Sequence, residues 1–248
     1  MTTSTLFTIP RAIALTGLAY AVYETRRLVA RYPIQQGSSA LAQWPDGVGA
    51  PYEVCTRTRL PAGADPRETF VTAFYATWTL RVEDFLYRNF MRGMVIEPPP
   101  LPAAEDAPQA PESEFESASA RPLSTPCTPP PTPVPVGTAS ADVPAYASGL
   151  FPVIGRSAES TMVWWGSVKG AGGAQLLTCT RVPGSETDVT VSFACAETNF
   201  LKEGSVDGWI GTKFHRMYMR YLLDRAAVRM DKWATADSRQ YTTEKLVL

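Results

Sequence analysis

The chain has 248 residues, a formal net charge of -1 and a single histidine. Its basic residues are not gathered into a block, which excludes the positively charged surface expected of a nucleic-acid-binding protein. Without histidine pairs or a CxxC motif, a zinc site would need mostly carboxylate ligands, which zinc rarely accepts. We therefore predict no nucleic-acid partner, no metal and no cofactor.

A proline-rich segment divides the chain. Residues 97–144 hold 14 of the 22 prolines, separated mainly by Ser, Thr, Ala and acidic residues. Such a composition has too little apolar content to offset the entropy of ordering, so we predict a disordered insertion. The flanking residues 50–96 and 145–235 each carry too few elements to form a core alone. They are predicted to form one discontinuous domain, with residues 1–33 as an N-terminal apolar helix and 236–248 as a tail.

The N-terminal apolar run covers residues 12–23, well short of the roughly 20 residues that a membrane-spanning helix needs. We predict a helix beginning near Pro10. Its apolar face consists of Leu15, Leu18 and Val22. This face either packs on the domain or inserts into a membrane surface. A secretory signal is a third alternative, because Ala19-Tyr20-Ala21 resembles a signal-peptide cleavage site. The predicted location is cytoplasmic, with membrane association as the open alternative.

A strand and a helix follow. Residues Tyr52 to Leu60 alternate in polarity, which predicts a half-buried strand with Tyr52, Val54, Thr56, Thr58 and Leu60 on one side. Asp65, Pro66 and Glu68 then supply an N-cap, a first-turn proline and an N3 carboxylate, which predict a helix reaching about Arg92-Gly93. Apolar side chains recur along it at helical spacing: Phe70, Phe74, Trp78, Val82, Phe85 and Leu86. We interpret this stripe as a core face that can also line a cavity.

The second part of the chain is predicted to be mostly β. Short turn-rich gaps separate four strand-like segments, which predicts an antiparallel meander of residues 150–154, 161–167, 175–182 and 188–199. A long amphipathic helix is predicted from about Asp207 to Trp233. Its predicted apolar flank includes Phe214, Met217, Tyr218, Tyr221 and Leu222, and its polar flank includes Arg216, Arg220, Asp224 and Arg229.

The order of these elements and two segments resemble a known group of proteins. The helix reading ETFVTAFYATWTLRVEDFLYR is one, and residues 214–223, reading FHRMYMRYLL, are the other. The second is similar to the FHRxYxRxLL pattern of an uncharacterised family of START-like (SRPBCC, helix-grip) small proteins. The resemblance implies an α+β fold in which a curved antiparallel sheet packs over a long C-terminal helix and encloses an apolar cavity for a small molecule.

Aromatic residues permit such a cavity independently of the resemblance. Trp164 and Trp165 are adjacent on a predicted strand, so one must face inward and the other outward. The predicted substrate-binding residues are Trp78, Trp164, Trp165, Phe193, Tyr218 and Tyr221. The alternative is that these aromatic side chains simply fill the core. The ligand and the oligomeric state stay open.

Candidate catalytic residues are few. His215 is the only histidine that can serve as a conventional base, with a packing or capping role as its alternative, and Glu197 lies on a strand that can face the cavity. Our leading hypothesis is a cofactor-free cyclase or pericyclase of the Diels-Alder type, acting on a terpenoid or polyketide-like intermediate through pre-organisation. A non-catalytic carrier of a lipid or small molecule is the first alternative. A scaffold that works through the proline-rich segment is the second.

Overall fold

The structure is a computed structural model of the chain. It describes residues 8–36, 41, 51–90, 132–133, 145–166, 172–198 and 206–236. The predicted disorder of the proline-rich segment concerns residues that lie almost entirely outside these ranges, and the predicted tail lies beyond them apart from Ala236.

The described elements are four helices, eight strands and one 3-10 turn. The helices are α1 (Thr8–Arg31), α2 (Pro66–Tyr75), α3 (Trp78–Phe90) and α4 (Val206–Thr235). The first four strands are β1 (Gln35–Gln36), β2 (Tyr52–Arg59), β3 (Thr132–Pro133) and β4 (Ala145–Tyr146). The others are β5 (Phe151–Arg156), β6 (Ser160–Gly166), β7 (Gly172–Arg181) and β8 (Asp188–Thr198). The predicted strand and meander are confirmed, with boundaries shifted by a few residues.

All strand pairs are antiparallel, in the order β1-β2-β8-β7-β6-β5-β3, and β4 pairs with β5. Strand β2, which precedes the proline-rich segment, pairs along its whole length with β8, which follows it, from Tyr52 opposite Cys195 to Arg59 opposite Asp188. The predicted α+β fold, a curved antiparallel sheet packed against a long C-terminal helix, is confirmed.

Both faces of the sheet are buried. Alternate residues face opposite sides, so Leu177 and Phe193 join the core beneath α2 and α4, while Leu176 and Ala194 join a smaller cluster on the other face. Leu41 and Trp164 also belong to the smaller cluster. Burial on both faces explains the continuous apolar runs MVWW in β6 and FACA in β8.

The helix predicted from Asp65 to Arg92-Gly93 begins as expected but is interrupted. The Asp65 carboxylate accepts a hydrogen bond of 2.7 Å from the Glu68 backbone N–H, which confirms the N-cap. The single long helix is wrong, because α2 ends at Tyr75 and α3 begins at Trp78. Two β-branched threonines, Thr77 and Thr79, flank Trp78 and lower helix propensity there. The predicted aromatic stripe therefore divides: α2 buries its part, whereas Trp78 is 71% exposed.

The division of α4 into an apolar and a polar flank is also wrong. Phe214, predicted on the apolar flank, is 72% exposed, whereas the predicted polar residues Arg220 and Asp224 are 8% and 1% exposed. The reason is a second layer, because α1 covers this side of α4. There the buried carboxylate of Asp224 accepts hydrogen bonds from Arg27 (2.9 and 3.2 Å) and from the Tyr32 hydroxyl (2.7 Å).

Helix α1 packs through a face other than the predicted one. It contacts the core through Leu28, and Tyr32 just beyond its end is also buried. Leu18 and Val22 are exposed, so packing of these two residues on the domain is wrong, and the side chain of Leu15 lies outside the described ones. Within the described ranges, no helix combines the length and apolar composition needed to cross a bilayer.

Candidate functional site

Two side-chain hydrogen bonds meet at the N-terminal half of α4. The Tyr52 hydroxyl, on β2, lies 2.5 Å from Nδ1 of His215. The Tyr218 hydroxyl donates a hydrogen bond to Oε1 of Glu83, on α3. Because residues three apart lie on the same side of a helix, His215 and Tyr218 bring both pairs to one face of α4. We call these four residues the polar cluster.

An aromatic wall adjoins the polar cluster. The ring centroids of Trp165 and His215 are 5.7 Å apart with a tilt of 33°, and the Tyr52 ring meets the imidazole edge-on at 6.2 Å. Deeper in the same core, Phe193 packs against Phe74 with ring centroids 4.9 Å apart. Strand alternation turns Trp165 toward this core, whereas Trp164 faces the opposite side of the sheet.

Gly173 leaves room for the Trp165 indole. It lies opposite Trp165 in the β6–β7 pairing. A Cβ atom at this position would lie 2.4 Å from the carbonyl oxygen of Ala196 and 3.0 Å from Nε1 of Trp165. Backbone atoms cannot retreat from such a contact as a flexible side chain can. A side chain at position 173 would therefore collide with the backbone of β8 and crowd the Trp165 indole.

Burial controls proton affinity within the polar cluster. Burial raises the pKa of Glu83 above that of an exposed glutamate, although the hydrogen bond from Tyr218 and the proximity of His215 oppose this rise. Burial, followed by the negative charge of Glu83, raises the pKa of Tyr218 well above its usual range. Tyr218 therefore keeps its proton near neutral pH and donates it to Glu83 in the hydrogen bond. A carboxyl group with a raised pKa is suited to general acid-base chemistry.

The structure brings several of the predicted site residues together. His215, Trp165 and Tyr218 belong to the polar cluster or its wall, and Phe193 lies in the core beneath it. Tyr221 packs against the same core and stacks beneath the Arg225 guanidinium at 5.2 Å. Each of these five positions therefore contributes to the side of the sheet that α4 covers.

The other predicted site residues lie elsewhere. Trp164 is buried on the opposite face of the sheet, where its indole N–H donates to the Gly166 carbonyl at 3.1 Å. Trp78 is mostly exposed at the start of α3. The backbone of Glu197 pairs with Gly173, but its side chain lies outside the described ones. These positions show that adjacency and helical spacing alone did not identify which aromatic residues share a site.

Sequence reasoning missed Glu83 and Tyr52 as members of the site. The alternation in β2 groups Tyr52 with Val54 and Leu60, and all three are buried, but nothing in this spacing indicates His215 as the partner of Tyr52. Glu83 follows Val82 of the predicted stripe, and a carboxylate beside an apolar stripe was the available signal. Its partner Tyr218 lies on a different helix, so the pair depends on how α3 and α4 pack.

The described residues of the site include neither a reactive thiol nor a group of metal ligands. Cys55 and Cys179 are free thiols, and burial raises the pKa of Cys179 to about 12, which keeps that thiol protonated near neutral pH. Among the residues that the structure describes, no three His, Cys, Asp or Glu side chains form a group suited to a metal ion.

Comparisons with known proteins identify no relative: no protein-family model matches the chain, and no curated protein matches it significantly. The site must therefore be interpreted from its own geometry.

Proposed function

We propose that the protein is a cofactor-independent biosynthetic enzyme, a cyclase or pericyclase that acts on a terpenoid or polyketide-like intermediate in an apolar cavity of START-like type. The observation that carries the proposal is the polar cluster, in which two hydrogen-bonded pairs lie beside the aromatic wall of an otherwise apolar core. Ring closure needs shape and a few well-placed polar groups more than it needs a nucleophile.

Each member of the cluster has a role in the proposed reaction. The hydrogen bond between the Tyr52 hydroxyl and Nδ1 orients the imidazole of His215. The imidazole transfers a proton to or from the substrate. Glu83, with its raised pKa, is a second proton-transfer group, and Tyr218 holds its carboxylate in place. The Trp165 ring holds the substrate chain against His215 and Glu83 so that the reacting carbons approach each other. Glu197, the other sequence-predicted catalytic residue, stays a candidate.

Native mass spectrometry of the protein purified from its own source tests this proposal. We expect a retained polyene or polycyclic compound, and we expect its linear precursor to be converted into an isomer of equal mass. A protein that retains nothing and binds no apolar probe would contradict the apolar cavity. A ligand returned unchanged from every precursor assay would contradict turnover and leave a carrier.

The second candidate function is a small-molecule or lipid carrier that contacts a membrane surface through α1. The specific observation is an exposed apolar stripe on α1. Leu18, Val22 and Val29 share one side of the helix and are 63%, 46% and 45% exposed. Arg26 lies beside the stripe and is also exposed, as expected of an interfacial helix that meets anionic lipid. This candidate corresponds to a cytoplasmic, membrane-associated location.

Vesicle sedimentation tests the contact. For the unmodified protein we expect binding to vesicles that contain phosphatidylserine. Leu18→Asp is expected to weaken this binding by about tenfold or more, because it removes apolar contact and adds negative charge. Thr235→Asp, which adds the same charge at an exposed position on α4, serves as the control. Equal binding by the two variants would rule out the α1 stripe as the contact.

A further inference from the structure

Two arginines on α4 are partly or wholly removed from solvent, and one of them, Arg216, adjoins the polar cluster. Arg216 and Arg220 are four residues apart, so they follow each other along one side of the helix. Arg220 is 8% exposed, and Arg216 is half-buried with its guanidinium carbon 5.0 Å from the centre of the Tyr52 ring. Arg216 therefore contacts the tyrosine that holds His215.

Within the described part of the chain, neither arginine forms an ion pair. The ion pairs there involve Arg27, Arg31, Arg59, Arg67, Arg88 and Arg225. Nε of Arg220 donates to the Tyr32 carbonyl at 2.8 Å, and one of its terminal nitrogens donates weakly to Sδ of Met217 at 3.7 Å. Nε of Arg216 is buried with no acceptor among the described residues. Asp224, one turn beyond Arg220, instead binds Arg27 and Tyr32.

An unpaired buried cation is costly to a fold. Removing a charge from water is unfavourable unless an opposite charge or several hydrogen bonds offset the loss. Burial, and then the neighbouring charge of Arg216, lower the pKa of Arg220, as expected of two like charges without a counter-ion. Guanidinium groups match oxyanions geometrically, because their paired N–H donors fit two oxygens at once.

We propose that Arg216 and Arg220 form an oxyanion subsite that binds the carboxylate or phosphate head group of an otherwise apolar ligand. The inference rests on the proposed function for the apolar part of that ligand. It names the substrate class more narrowly, as an amphiphile whose anionic head lies beside Tyr52 and whose chain reaches the aromatic wall. Arg216 then connects head-group binding to the hydrogen bond that orients His215.

Calorimetric titration with three ten-carbon probes tests the subsite. Decanoate and decyl phosphate carry the two candidate head groups, and 1-decanol is the uncharged control. The unmodified protein is expected to bind at least one anionic probe about tenfold or more tightly than 1-decanol, since hydrogen bonds to charged groups carry this much affinity. In Arg216→Met and in Arg220→Met the preference is expected to disappear, while the affinity for 1-decanol stays within about twofold.

Arg225→Met is the matched control on the same helix. Arg225 already contacts the carboxylates of Glu24 and Asp224, so its removal is expected to leave the head-group preference intact. Equal affinity of the unmodified protein for all three probes would overturn the subsite and leave the apolar cavity standing. Arg216→Met decides the matter if Arg220→Met does not fold, because Arg216 is less buried.

A second measurement separates the subsite from the cavity. If no ten-carbon probe binds, the proposed cavity fails, and inorganic phosphate alone then tests the arginines. At constant ionic strength, replacing chloride with phosphate is expected to raise the melting temperature of the unmodified protein more than that of Arg216→Met. An equal rise in both proteins would overturn the subsite.

Discussion

Replacing Asp224 with Asn is expected to lower the free energy of unfolding by about 3 kcal/mol, since breaking a buried charge pair leaves its partners uncompensated. The Asp224 side chain is 2% exposed and binds Arg27, Arg31 and the Tyr32 hydroxyl. Arg27 is itself 27% exposed and can be partly rehydrated, which places the loss at the lower end of the range for buried pairs. Urea denaturation measures the change.

The Arg59–Asp231 pair provides a control on the same helix. Its side chains are 50% and 47% exposed, and Asp231→Asn is expected to cost less than about 1 kcal/mol. Equal losses in the two variants would show that α1 is not fastened to α4 through Asp224.

Acid should reduce the difference between the unmodified protein and Asp224→Asn. Burial alone would raise the pKa of Asp224, but the hydrogen bonds from Arg27 and Tyr32 outweigh burial and lower it. A lowered folded-state pKa contributes stability that is present above the unfolded value of about 3.9 and is lost as the pH falls through the folded value. The stability difference should therefore be constant near neutral pH and should shrink below about pH 4.

For the proposed cyclase reaction, replacing His215 with Gln is expected to reduce turnover of the linear precursor by about 10²- to 10⁴-fold, the usual contribution of a general acid-base group. Affinity for the precursor should change little, because the surrounding aromatic residues stay in place. The change therefore appears in kcat rather than in KM. Steady-state kinetics measures the effect, with the linear precursor of the compound that native mass spectrometry identifies as the substrate.

Lys232→Gln, at an exposed position near the far end of α4, is the control for this variant. Circular dichroism must show that His215→Gln is folded. A folded variant with unchanged kcat would restrict His215 to the packing role that the sequence also allows, and a ring closure driven by shape alone would remain.

Local patterns predicted most of the elements. The N-cap at Asp65 and the alternation in β2 are decided by neighbours in sequence, so they could be recognised without coordinates. The burial of Arg220 and Asp224 could not, because it depends on α1 covering the side of α4 that periodicity marks as polar. Tertiary packing overrides an amphipathic pattern when a second layer is added.

The candidate site was predictable only where local sequence, rather than tertiary packing, identifies the residue. His215, Trp165 and Tyr218 were identified by residue type and by their position along an element. Glu83 was not, because its hydrogen bond to Tyr218 joins two helices, and the predicted long helix placed α3 wrongly. Glu83 lies on α3, which begins only after the interruption at Ala76-Thr77, and its hydrogen bond joins this separate helix to α4.

The pairing of β2 with β8 also bears on how the chain folds during synthesis. Residue 52 pairs with residue 195, so β2 leaves the ribosome long before its main partner exists. Closing a long loop costs entropy that grows only slowly with its length, so the proline-rich connection delays the pairing more than it weakens it. Until β8 and α4 emerge, α2 exposes Phe70 and Phe74, and the unfinished chain is expected to depend on chaperones.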